Sequence, residues 1–180
     1  EQYDHFGAAL ASGNFDGDER CTDACRPLDD LAIGAPGEDD EGAVMVVFGS
    51  ENGVATSPST YLRQGSLGGS GEAFDQFGLA LAAGDFDGDL ADELVIGNPF
   101  ENLGAGIDTG EVTVVSQLTA ASHGPVTFLS QGSIFGNPAY DETNDKFGSA
   151  LAAADFDRDG ADDLVIGIPG EDVGGVGRGG

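Results

Sequence analysis

The stretch FGSALAAADFDRDGADDLVIGIPGED, residues 147–172, sets four unlike pieces in fixed order. A Phe-Gly pair opens it, a short Ala/Leu run follows, then an acidic loop, then a β-branched apolar run closed by Gly167-Ile168-Pro169. The same order occurs twice upstream, as FGLALAAGDFDGDLADELVIGNPFEN from Phe77 and as FGAALASGNFDGD from Phe6 continued by DDLAIGAPGED from Asp29. The Phe-Gly pairs recur at spacings of 71 and 70 residues, which marks a supersecondary unit repeated along the chain. The closing glycines, Gly34, Gly97 and Gly167, show a first spacing of 63, and an insertion around Cys21 and Cys25 supplies the eight missing residues. The repeats are repeat 1 at 1–71, repeat 2 at 72–141 and a partial repeat 3 at 142–180, together one segment spanning 1–180.

Between the copies the chain alternates strand-like and turn-like. Gly42 to Phe48 and Gly110 to Ser116 read as strands, as do the stretches near Tyr61 to Gln64 and Val126 to Gln131. The Ala/Leu runs favour helix by propensity, but they are about seven residues long, and Gly13 and Gly84 close the first two. They read as inner strands, whose small side chains suit a crowded axis. Four short strands per repeat give an all-β chain of β-propeller blades: two complete, plus the first half of a third, as part of a larger ring or assembly. Gly and Pro together make about a fifth of the chain, below the level of low-complexity disorder, and long helices are excluded. Gly65 to Gly71 and Gly174 to Gly180 read as connectors or frayed ends.

The acidic loops carry the chemistry. In the third, Asp155, Asp157, Asp159 and Asp163 take positions 1, 3, 5 and 9, Gly160 takes the turn at position 6, and Ala161 offers its carbonyl at position 7. In the second, Asp85, Asp87, Asp89, Ala91 and Glu93 match, with Leu90 in place of the glycine. In the first, Asn14, Asp16 and Asp18 precede the insertion, and Asp30 matches Asp163 once the insertion is removed; Asp23 is a substitute ligand. Asp-rich turns are common between strands, but carboxylates crowded in register in three loops would repel one another without a cation. All-oxygen sites of this kind suit Ca²⁺ rather than Mg²⁺ or Zn²⁺, so about three calcium sites are expected. Asp162, at position 8, is expected to point outward between the ligands. An EF-hand is excluded, because position 12 is Ile166 instead of a bidentate glutamate.

With 33 acidic and 6 basic residues the net charge is −27, which disfavours nucleic acid and anionic membranes as partners. Cys21 and Cys25 lie in one polar insertion, and a local disulfide is their simplest use, placing the chain in an oxidising, secreted or cell-surface compartment. No secretory signal and no apolar run of transmembrane length is expected. Catalysis is disfavoured: the carboxylates stand in identical repeats, whereas an acid and a base need unlike environments. His5 and His123 lie in unrelated contexts, and no nucleophile elbow or phosphate loop occurs.

The Phe-Gly start, the Asp-x-Asp-x-Asp loop and Gly34-Ala35-Pro36-Gly37-Glu38-Asp39 resemble the FG-GAP repeat of integrin α subunits and of many bacterial secreted proteins. The resemblance implies one four-stranded blade per repeat, a ring usually closed by seven repeats, and calcium in the hairpin between the first two strands. It carries the ligand role to Asp85, Asp87, Asp89, Glu93, Asp155, Asp157, Asp159 and Asp163, and to Asn14, Asp16, Asp18 and Asp30 across the insertion. Gly97-Asn98-Pro99-Phe100 departs from the family pattern. The implied function is a calcium-binding scaffold for adhesion, protein–protein interaction or assembly, not an enzyme by itself. Its partners would be other protein chains or further repeats of the same chain. An accessory propeller of a secreted phospholipase-like hydrolase and a carbohydrate-binding module are the alternatives.

Overall fold

A computed structural model describes residues 3–18, 28–54 and 57–172. Cys21, Cys25 and Asp23 lie outside the described residues, as does Gly174 to Gly180. The first blade contains β1 (Leu10–Gly13), β2 (Asp30–Ala35), β3 (Ala43–Val47) and β4 (Ser59–Leu62), antiparallel neighbours in sequence order. The second repeats it with β5 (Ala80–Gly84), β6 (Glu93–Asn98), β7 (Glu111–Val115) and β8 (Val126–Leu129). The third contributes the pair β9 (Ala150–Ala154) and β10 (Asp163–Gly167). The Ala/Leu runs are strands despite their helix propensity. Each is too short to nucleate a stable helix, and each pairs along its length with the β-branched run that follows.

Two expectations need correction. The segment from Gly65 is not merely a connector: Gln64–Leu67 forms a 3₁₀ turn that buries Leu67 against the core. The last strand of the second blade ends at Leu129, and Ser130, its hydroxyl accepting from the Ser133 amide, caps the five-residue helix α1 (Gln131–Phe135).

The core lies between blades rather than within one. Along β6, Leu94 and Ile96 face the first blade and pack with Val44, Val46, Phe48 and Leu62, while Val95 faces the third with Val112 and Phe147. Alternate residues of a strand point to opposite faces, so β6, flanked on both faces, is buried throughout. The flanking blades each have one uncovered face: Val165 of β10 and Leu10 of β1 are exposed.

The Phe-Gly and Gly-x-Pro signatures meet at these joints. Gly78 donates its N–H to Gly97 O within its own blade while its own carbonyl presses on Gly34 of the preceding one. A Cβ on Gly34 would sit 2.2 Å from Gly78 O, and one on Gly97 would sit 2.2 Å from Gly148 O, so neither position admits another residue. The adjacent phenylalanine plugs the joint. Phe77 is 0% exposed, whereas the equivalent Phe6, on the outer face of the first described blade, is 61% exposed.

Phe77→Ala should therefore lose about 3–5 kcal/mol of stability, the usual range for a buried Phe truncation, and Phe6→Ala well under 1 kcal/mol. Urea denaturation of both variants checks this.

Candidate metal centres

The hairpins β5–β6 and β9–β10 end in the acidic loops. Positions 4 and 6 of each are left-handed: Gly88 and Leu90 in the second loop, Arg158 and Gly160 in the third. Two such residues curl the chain so that alternate carboxylates turn to one point. Asp85, Asp87 and Asp89 each place an oxygen within 4.8 Å of the others, and so do Asp155, Asp157 and Asp159. These are the two groups of three such side chains among the described residues.

Backbone amides fix each carboxylate. Asp85 Oδ1 accepts from Gly88 N at 2.7 Å and Asp89 N at 3.1 Å, and its Oδ2 accepts from Leu90 N at 3.0 Å. Asp87 accepts from Asp89 N, and Asp89 from Ala91 N. The third loop repeats the pattern through Asp155, Asp157 and Asp159, ending at Ala161 N. The position-9 acids stand apart from the triads. Glu93 and Asp163 each accept from the position-2 amide, Phe86 N and Phe156 N, both at 2.9 Å.

In the first loop Asn14 Oδ1 and Asp16 Oδ1 both accept from Asp18 N, at 3.2 and 3.0 Å. Asp30 sits at the strand base with Oδ2 on Phe15 N and Oδ1 on Gly49 N. Burial, helped by the nearby Asp16 charge, raises its pKa to about 6. Both Asp30 oxygens thus accept from backbone amides, as both oxygens of Asp85 do.

Position 8 points outward as expected and makes a contact that the sequence does not disclose. Asp162 points outward from its own loop but into the neighbouring blade: its Oδ2 accepts from Asp85 N at 3.2 Å, and its amide donates to Asp85 O at 2.7 Å. Asp92 makes the same double contact with Asn14. A Cβ on Gly13 or Gly84 would lie 2.7 or 2.8 Å from the incoming carboxylate, which is why glycine precedes these two loops.

A second set of acids lies at the other end of the blade joints. Between the first and second blades, Gln64 Nε2 donates to Glu101 Oε2 at 2.6 Å and to Glu111 Oε1 at 3.2 Å, beside Asp75 and Asn98. The next joint repeats the arrangement: Gln131 Nε2 donates to Glu171 Oε2 at 2.6 Å beside buried Asp145. Burial pushes Glu101 and Glu111 up to about 7 and Asp75 to about 6, and neighbouring Glu72, Glu41 and Asp141 act in the same direction. The sequence signal for these residues was the repeated spacing of Asp75 and Asp145 two residues before each phenylalanine, with Glu101 and Glu171 after each Gly-x-Pro.

Residues 77–115 and 147–180 match the FG-GAP repeat model, so the chain carries FG-GAP repeats. It is 39% identical over 101 residues to integrin alpha-5 of Xenopus laevis, a match covering 54% of this chain and 9% of that one. It is 33% identical over 160 residues to phosphatidylinositol-glycan-specific phospholipase D of Rattus norvegicus, covering 83% of this chain and 18% of the relative. Integrin alpha pat-2 of Caenorhabditis briggsae is 33% identical over 104 residues, covering 54% and 7%. The chain thus spans less than a fifth of each of these relatives. No helix among the described residues is long and apolar enough to cross a membrane.

Leu90 holds φ +76° with a side chain 76% exposed, so it gives little packing in return for its strained backbone. Leu90→Gly should raise the stability of the cation-free chain by about 1 kcal/mol, read by urea denaturation in chelator. The buried acids set a pH dependence. Their folded pKa values lie above the unfolded ones, so the stability they contribute is complete below about pH 4 and is lost as pH rises through about 6 to 7. In chelator, Tm should be several degrees higher near pH 5 than near pH 8, and Glu101→Gln should flatten that slope.

Proposed function

We propose, from FG-GAP repeats whose hairpins gather carboxylates in register, that this chain is a section of an extracellular, calcium-stiffened propeller. It would serve as a non-catalytic scaffold for adhesion, protein–protein interaction or assembly. The observation that carries the reading is the pair of Asp triads on equivalent hairpins, each held open by its own backbone amides. All-carboxylate, oxygen-only donors on a flexible loop match Ca²⁺. Asp85, Asp87, Asp89 and Asp155, Asp157, Asp159 would bind directly. Glu93 and Asp163, the carbonyls of Ala91 and Ala161, and the first-loop set Asn14, Asp16, Asp18 and Asp30 would complete about three sites. Calcium there would offset carboxylate repulsion and rigidify the hairpins.

The uncovered faces support completion by further repeats of the same chain or by other protein chains. Phe6 and Leu10 at one end, and Phe156 and Val165 at the other, are exposed where equivalent joints are filled. A surface of this charge favours neither nucleic acid nor membrane insertion. A secreted or cell-surface location follows from the Cys21–Cys25 disulfide proposed for the insertion. A second reading, an accessory propeller within a larger secreted enzyme, draws on the phospholipase D match, whose aligned span covers 83% of this chain.

Native mass spectrometry and thermal melting test the proposal together. A site saturated at about 100 times its Kd adds roughly 2.7 kcal/mol, so Tm should rise with calcium and fall with chelator. Asp157→Ala should lose one ion, whereas Asp162→Ala should keep the wild-type count yet melt earlier, because it loses a tie between blades. A melting curve indifferent to chelator, or equal ion counts for wild type and Asp157→Ala, would discard the calcium reading. A monodisperse, cooperatively folding monomer would discard the need for completion.

A further inference from the structure

We propose that the joint between the first two blades holds a cation site of its own, distinct from the hairpin loops and formed by Asp75, Glu101, Glu111, Gln64, Asn98 and Thr113. The residues come from three places: Gln64 from the turn after β4, Asp75 from the segment entering the second blade, and the others from β6, β7 and the turn between them. Asn98 pairs with Glu111 and Ile96 with Thr113, which puts Asn98, Glu111 and Thr113 on the face that Leu94 and Ile96 turn to the first blade. Asp75, Gln64, Asn98, Glu101 and Thr113 are all at least 98% buried.

Within this pocket the hydrogen-bonding inventory does not balance. Asp75 Oδ1, Gln64 Oε1, Asn98 Oδ1 and Thr113 Oγ1 are buried without a hydrogen-bond partner. Two of the four, the amide oxygens of Gln64 and Asn98, can only accept, and Asp75 and Glu101 are in hydrogen-bonding contact with each other. The charges that bear on Glu101 and Glu111 belong to other carboxylates, Asp75, Glu72 and Asp141. Buried acceptors and buried negative charge both require compensation. A water molecule supplies two donors but no charge, whereas a hard divalent cation meets both needs and takes six to eight oxygen ligands.

Gln64 is the element that distinguishes the two states. Its amide nitrogen stands between Glu101 and Glu111, and its unpartnered oxygen lies on the same planar group. Rotating that amide by half a turn exchanges a donor for a sixth oxygen at the centre, an exchange that repulsion forbids until a cation arrives. The next joint keeps Gln131, Glu171 and Asp145, and Gln131 Oε1 is likewise buried without a partner, but Ile168 stands where Asn98 does. The departure of Asn98 from the repeat pattern thereby acquires a role.

Calcium counting by equilibrium dialysis of the full chain tests the site. Glu111→Gln should bind one ion fewer than wild type, and Glu111→Gln combined with Asp157→Ala two fewer, which separates this site from the hairpins. In chelator Glu111→Gln should melt above wild type, since one opposed carboxylate is gone, and in calcium below it. That crossing is not expected of a purely structural residue. Asn98→Ala, which leaves every charge in place, should shift the isotherm of the same site by at least roughly tenfold. Wild-type ion counts and affinities in both variants would overturn the proposal, whatever Asp157→Ala shows.

Discussion

A blade of this protein cannot bury its apolar faces by itself. Each strand alternates its side chains between two faces, and both faces of the second blade are apolar, so the core forms only when a blade is set against its neighbour. The rest of the structure serves that contact. Carbonyls of the entering Phe-Gly segment reach within 2.2 Å of where a side chain on Gly34 or Gly97 would begin, so the glycines record the close approach of two backbones. The buried phenylalanine beside each one converts that approach into apolar packing.

The large negative charge is handled in two ways. At the hairpins the carboxylates are exposed, and each is held by backbone amides that cannot carry a compensating full charge. At the opposite end of the joint they are buried, and burial itself moves them toward the neutral form. One group suits a cation arriving from solvent, while the other ties its charge to the assembly of the blades.

What the sequence disclosed was local. The repeat, the hairpins, the clustering of the Asp-x-Asp-x-Asp carboxylates and the strand character of the Ala/Leu runs depend on residues a few positions apart, and the structure has them where spacing put them. What stayed hidden was non-local. Asp162 looks like a spare loop residue until Asp85, 77 residues away, is placed beside it. Gln64 and Glu101 are likewise joined only by the stacking of blades. The left-handed Arg158 escaped because its counterparts are Gly17 and Gly88, whose freedom conceals the demand of the position.

Gly13 and Gly84 leave room for an aspartate from the following blade, but the third hairpin has Ala154 at that place. A second copy docking head to tail would bring Asp29, its own position-8 residue, against that methyl group at the distance at which the first two joints require glycine. The third blade therefore presents a methyl group where the first two leave open space for the aspartate of the blade that follows.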